Sequence, residues 1–101
     1  MRRHKVRIVS GRMFISNSEL NRNNRNVDVI DLKLDQDFSG LTVYCVLFSG
    51  DDAIVCKYTG GPITLPDEVY SRGEVIPLSI WGVADDGSRV VVSNNSAFHI
   101  V

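Results

Sequence analysis

Two cysteines are the residues whose spacing most directly suggests chemistry. The runs Thr42–Phe48 and Asp52–Tyr58 form the clearest predicted hairpin in the chain, and the connection between them places Gly50 and Asp51 at the centre of a tight primed turn. Facing residues then have numbers that sum to 101, so Cys45 lies opposite Cys56, within reach of a disulfide. Because no export signal is evident, we expect two reduced thiols, with a disulfide as the alternative.

Metal and catalytic sites have weaker support. His4 and His99 could join the cysteines around zinc, but their spacing is wrong, and we expect both at the surface. No serine sits in a Gly-x-Ser-x-Gly elbow, and no glycine-rich stretch ends in Gly-Lys-Ser or Gly-Lys-Thr. Three acidic pairs fall in predicted turns, where aspartate accepts backbone hydrogen bonds: Asp35/Asp37, Asp51/Asp52 and Asp85/Asp86. We therefore predict no enzyme, no metal and no cofactor.

The elements that must position these residues are short strands. Period-2 apolar runs with turn residues every eight to twelve positions predict an all-β antiparallel sandwich of about seven to eight strands. Five asparagines within residues 17–26 predict a loop, and residues 66–70 predict a single helical turn. Pro77 marks its strand as an edge or a bulge, and Trp81 in the same strand is predicted to be core.

Charge divides the 101-residue chain unevenly. Residues 1–25 carry a balance of +6 and residues 26–101 a balance of -7. This split predicts a basic N-terminal arm, residues 1–26, on a sandwich domain, residues 27–101. The arm's cations would keep strand edges soluble or dock on an acidic protein neighbour, and the docking residues would be Arg2, Arg3, Lys5, Arg7 and Arg12. Nucleic acid is less favoured, because the body is acidic.

Both faces of the central hairpin are apolar. One face carries the cysteines, and the other has a single charged residue, Lys57. An antiparallel sheet normally turns one polar face to water, so a second apolar face predicts either a protein interface or coverage by the chain itself. The predicted interface residues are Tyr44, Val46, Phe48, Ala53 and Val55.

Residues 31–101 resemble a small sandwich domain of phage and prophage structural proteins, found in tail, baseplate and fibre-associated chains. Four features carry the resemblance: the turn at residues 37–41, the strand and glycine at residues 46–50, the Leu-Pro-x-Glu-Val stretch at residues 65–69, and Trp81-Gly82 preceding a glycine turn. The resemblance implies an immunoglobulin-like module that builds virion appendages and has no catalytic residues.

The resulting hypothesis is a non-enzymatic virion structural or accessory protein that assembles with other virion proteins and with itself. No apolar run approaches the length of a membrane helix and no secretory h-region is evident, so we expect synthesis in a bacterial cytoplasm without a signal peptide. The resemblance implies that the protein resides in the virion. The main alternative is a small phage accessory protein that binds and inhibits a host factor. A third possibility is glycan binding by stacking on Tyr70 or Trp81.

Overall fold

The structure is a computed structural model that describes residues 2–23, 28–49, 51–71, 74–92 and 96–101. The predicted domain boundary at residue 26, Gly50, Gly73 and the turn at residues 93–95 lie outside these ranges. No helix in the described ranges is long and apolar enough to span a membrane. The strands are β1 (Arg2–Val9), β2 (Arg12–Ile15), β3 (Glu19–Leu20), β4 (Asp28–Lys33), β5 (Thr42–Ser49), β6 (Asp52–Lys57), β7 (Ile63–Thr64), β8 (Val75–Val83), β9 (Arg89–Val92) and β10 (Ala97–Ile100).

The first sheet has the order β2-β1-β4-β7. Strand β1 pairs antiparallel with β2 and parallel with β4, in a register that sets Arg7 between Phe14 and Lys33. Along β1 the even-numbered residues from His4 to Ile8 are buried and the odd-numbered ones are exposed, as expected for a strand with one face on a core. The residues predicted as an arm thus contribute a central strand and part of the core.

The second sheet has the order β3-β10-β8-β5-β6, with β9 also paired to β8. The β5–β6 hairpin has the predicted register, with Cys45 opposite Cys56 and Ser49 opposite Asp52. Residues 75–77 of β8 pair with β10, whereas β5 pairs only from Leu78 onwards. Within the described residues, β8 therefore has a neighbouring strand on only one side at Pro77. This position suits proline, because proline has no N–H group to donate to a second neighbouring strand.

One hydrophobic core lies between the inner faces of the two sheets. It includes Val6 and Ile30 from the first sheet and Leu47, Ile80 and Phe98 from the second, all at most 2% exposed. Two 3-10 turns add side chains to this core: Gln36–Phe38 buries Phe38, and Asp67–Ser71 buries Val69 and Tyr70. The second of these turns is the one predicted at residues 66–70.

The all-β class and the sandwich-like packing of two sheets agree with the sequence prediction. The pairing is mixed and not purely antiparallel, because β1 runs parallel to β4 and β3 runs parallel to β10. The predicted asparagine loop contains the short strand β3, which pairs with β10 at Glu19 and Leu20. Alternation within a strand indicates which face is buried but does not specify the neighbouring strand, so these parallel pairings had no sequence signal.

Candidate interaction surfaces

An apolar groove of about 380 Å³ lies on the outer face of the second sheet. The hairpin register forms it, because Val46 faces Val55 and Phe48 faces Ala53 on the side away from the core. The groove is lined by Tyr44, Val46, Phe48, Ala53, Val55 and Trp81. All five predicted interface residues are therefore brought together, and we refer to this surface as the apolar groove.

The floor and the walls of the apolar groove differ in exposure. Val46 is 7% exposed, although it is not part of the core between the sheets, so neighbouring side chains on the outer face cover it. Phe48 is 36% exposed and Val55 is 59% exposed, and these two side chains form walls of the groove beside Val46. The arrangement is a shallow apolar depression with accessible walls, the shape that accepts an apolar anchor from a partner.

Trp81 belongs to this surface and not to the core, contrary to the sequence prediction. It is paired with Tyr44 across the sheet, and its indole Nε1 donates a hydrogen bond of 2.9 Å to the Ser79 hydroxyl. The Arg89 guanidinium carbon lies 5.5 Å from the Trp81 ring centroid. Lys57, opposite Tyr44, adds a second cation on the hairpin side of the same outer face, so the groove has a cationic rim.

The predicted docking cations are distributed over the first sheet. Arg2 Nε lies 3.4 Å from Asp28, and Arg3 lies 3.5 Å from Asp31, so the chain's own carboxylates engage both guanidinium groups. Arg12 is exposed on β2. Only Lys5 and Arg7 of the predicted set line a second groove, of about 520 Å³, on the outer face of this sheet; its other lining residues are Phe14, Ile15, Ser16, Asp31 and Lys33. We refer to it as the basic groove.

A polar network lies inside the core beside β1. His4 and Asp28 are both 0% exposed, and Tyr70, also inaccessible, donates a hydrogen bond of 2.6 Å to Asp28 Oδ2. Burial and this hydrogen bond raise the Tyr70 pKa. The surface position predicted for His4 is therefore wrong. Tyr70 also offers no accessible ring for a glycan, and because all three groups are sealed from solvent, no substrate reaches them.

The cysteine thiols are free, as expected for a reduced pair, although they face each other across the hairpin. Burial, followed by the proximity of Cys56, raises the pKa of Cys45 to about 12. Burial and the Glu68 carboxylate also raise the pKa of Cys56. Both thiols are thus protonated at neutral pH and are poor nucleophiles.

Two of the three acidic pairs include a carboxylate that accepts backbone hydrogen bonds at its turn. Asp35 accepts a hydrogen bond from the Asp37 amide at the start of the first 3-10 turn, and its other carboxylate oxygen accepts one from the Ser10 amide. Hydrogen bonds from Ser88 lower the pKa of Asp86. Within the described ranges, no three histidine, cysteine or acidic side chains are grouped as metal ligands.

Comparison with known proteins does not identify a relative. No protein-family model matches the chain, and no curated protein matches it. The likeness to phage structural sandwich domains therefore stays a prediction.

Proposed function

We propose that this chain is a non-enzymatic assembly protein, a virion structural or accessory protein of the kind that the resemblance implies. It would bind its neighbours through the β5–β6 hairpin. The observation that supports the proposal is the apolar groove, in which alternate residues of two paired strands and Trp81 form one accessible apolar surface. Aromatic side chains in a water-excluding depression are typical of interface centres.

The rim of the apolar groove indicates what would occupy it. Lys57 on β6 and Arg89 on β9 supply positive charge on either side of the groove, whereas the groove lining is entirely uncharged. Complementary charge steers association and excludes partners with like charge. The proposed occupant is therefore a segment of a neighbouring protein with an apolar centre and acidic residues on either side.

Trp81 makes this occupant testable, because it is the chain's only tryptophan and it lines the groove. The probe is a short peptide with a Leu-Phe-Leu centre flanked by aspartates, titrated while Trp81 emission is recorded. We expect saturable binding with a blue shift, because the peptide removes water from the indole. The same centre flanked by lysines should bind at least several-fold more weakly.

The matched variants are Phe48→Asp, which places a charge in the groove wall, and Phe14→Asp, which places one on the other sheet. Both side chains are exposed to a similar extent, 36% and 48%, so each variant should fold. Loss of binding in Phe48→Asp alone supports the proposal. A flat Trp81 titration with both peptides, or an equal response to both, overturns it.

Self-association is part of the same proposal, and the open edge of β6 supports it. Within the described residues β6 pairs only with β5. The Tyr58 amide donates a hydrogen bond to the Val43 carbonyl, so Tyr58 and every second residue before it direct their backbone groups toward β5. The residues between them, Ala53, Val55 and Lys57, direct their N–H and C=O groups away from β5. Unpaired backbone groups along an apolar edge form a template for another strand.

The charges on β6 select a register for a second copy. Two β6 strands related by a two-fold axis would run antiparallel, with Ala53 opposite Val55 of the other copy. That alignment sets Lys57 opposite Asp51 of the second copy and gives two pairs of opposite charge. In the other alignment Val55 of one copy lies opposite Val55 of the second copy. Lys57 then lies opposite Ala53, and the pairs of opposite charge are lost. The first alignment also joins the two outer apolar faces side by side.

The second candidate is a phage accessory protein that inhibits a host factor through the same groove. The cationic rim supports it equally, because an acidic host segment would meet the same two side chains. The two candidates differ at the β6 edge, since an assembly protein needs self-association and an inhibitor does not. Solution mass of the pure protein separates them.

A further inference from the structure

The basic groove on the first sheet gathers three cations around one exposed aromatic ring. Lys5 and Arg7 come from β1, Lys33 from β4 and Phe14 from β2. The four side chains share the outer face because the register places Arg7 between Phe14 and Lys33, and Lys5 lies two residues before Arg7. The groove is on the opposite sheet from the apolar groove, so the inference does not depend on the proposed function.

The cations in this groove have little internal compensation. Arg7 and Lys33 are register partners, and like charges placed side by side on one sheet face destabilise the sheet. Asp31 is the acidic residue of the lining; it is the register partner of Lys5, and its carboxylate lies 3.5 Å from Arg3. Within the part of the chain that the structure describes, no carboxylate lies at ion-pair distance from Lys5, Arg7 or Lys33. An anionic ligand would supply the missing charge.

The aromatic ring narrows the class of anion. Phe14 is 48% exposed, and the Arg7 guanidinium carbon lies 6.0 Å from its ring centroid. A ring and a guanidinium plane beside cations are the surfaces on which unpaired bases stack while their phosphates are neutralised. An acidic protein segment would satisfy the cations but would need an added aromatic side chain to pack on Phe14, whereas every nucleotide carries a planar base next to its phosphate.

We propose that the basic groove binds single-stranded nucleic acid, with Lys5, Arg7 and Lys33 on phosphates and Phe14 stacked against a base. The overall acidity of residues 26–101 argues against nucleic acid only if charge is averaged over the molecule. The structure instead sets three cations of β1 and β4, with Asp31 as the one carboxylate of the lining, on one outer face. Contacts to phosphates and stacking on a base do not depend on which base is present, so we expect little preference for nucleotide sequence.

The experiment is fluorescence anisotropy with a labelled oligothymidylate of about 12 nucleotides, a length within the usual range for such sites. Binding should weaken with salt, with a slope of log K against log salt of about -2 for three neutralised phosphates. Lys33→Gln should reduce that slope by about 0.7. Phe14→Ala should weaken binding about ten-fold and leave the slope unchanged, because it removes stacking and no charge.

Lys57→Gln is the matched control, since it removes one exposed cation from the other sheet and should not alter oligothymidylate binding. Poly-aspartate of similar length competes with the oligonucleotide and distinguishes an acidic protein ligand. The proposal is overturned if oligothymidylate does not bind, if Phe14→Ala binds like the parent, or if poly-aspartate binds as tightly. The last result would assign the groove to an acidic protein surface.

Discussion

His4 Nε2 lies 2.8 Å from Asp28 Oδ1, and neither side chain reaches solvent. The other imidazole nitrogen, Nδ1, contacts the Asn17 carbonyl, which can only accept, so Nδ1 carries a proton. Arg2 Nε lies 3.4 Å from the same carboxylate oxygen, Asp28 Oδ1. Tyr70 donates to the second carboxylate oxygen, and no buried polar side-chain atom in the described residues lacks a partner. The network ties β1 and β4 to the 3-10 turn at Asp67–Ser71.

Removing Asp28 should therefore destabilise the fold strongly. Asp28→Ala leaves the His4 and Tyr70 polar groups buried without their acceptor, and the free energy of unfolding should fall by about 3–5 kcal/mol. Asp31→Ala is the control: Asp31 pairs with Arg3 at the surface, where both side chains are about half exposed, and its loss should cost about 0–1 kcal/mol. Urea unfolding of both variants measures the difference. Equal losses would mean that the buried network contributes no more than a surface ion pair.

Alkaline pH should weaken the fold through Cys45. The unfolded thiol loses its proton near its ordinary pKa of 9.0, whereas burial holds the folded pKa near 12. Between these values the unfolded state binds fewer protons, so the free energy of unfolding falls as pH rises, by up to about 1.4 kcal/mol per pH unit. The raised Tyr70 pKa acts in the same direction above pH 10.0.

The measurement is urea unfolding at several pH values from neutral to strongly alkaline. Cys45→Val keeps an apolar side chain of similar size in the core but removes the titrating group. Its stability should decline less steeply than that of the parent between pH 9 and pH 10, where the Cys45 thiol loses its proton in the unfolded state but keeps it in the folded state. Parallel curves for the two proteins would contradict the assignment.

Gly82 should not tolerate a side chain. A Cβ atom built there would lie 2.8 Å from Phe38 Cδ1 and 2.8 Å from Leu41 Cδ1, and the Phe38 ring is itself buried. Gly82→Ala should cost about 1–3 kcal/mol by overpacking, seen as a lower Tm. Gly61→Ala is the matched control, because no atom lies within 4 Å of its added Cβ, and its Tm should stay near that of the parent. A Gly82→Ala protein as stable as the control would show that Phe38 moves aside easily.

Charge reversal at the β6 edge tests the proposed pairing of two copies. Lys57→Asp would place like charges opposite each other at Asp51 of the second copy, so association should weaken several-fold. The double variant Asp51→Lys/Lys57→Asp restores opposite charges and should recover the parent's mass. Light scattering after size exclusion, at low and high salt, provides the readout.

Lys33→Asp, on the other sheet, serves as the control for net charge and should associate like the parent. A monomeric parent at every concentration would overturn the self-association proposal. The same holds if the double variant associates no better than Lys57→Asp alone.

The structure of the central hairpin could be predicted from residues that are close together in the chain. The observed pairing of Cys45 with Cys56 and of Val46 with Val55 agrees with the register that the sequence predicts. The same local alternation placed the predicted interface residues on one face. Trp81 was missed because its position depends on β8 pairing with β5, a contact between distant parts of the chain.

The sequence by itself determined the all-β class, the hairpin and its apolar outer face, because alternation and turn chemistry act between residues close in the chain. Only the tertiary structure decided that β1 lies parallel beside β4. That neighbour buries His4 against Asp28 and sets Arg7 beside Lys33, so it creates both the core network and the basic groove. Alternation specifies the face that a side chain occupies, whereas the choice of neighbouring strand depends on packing between residues far apart in the chain.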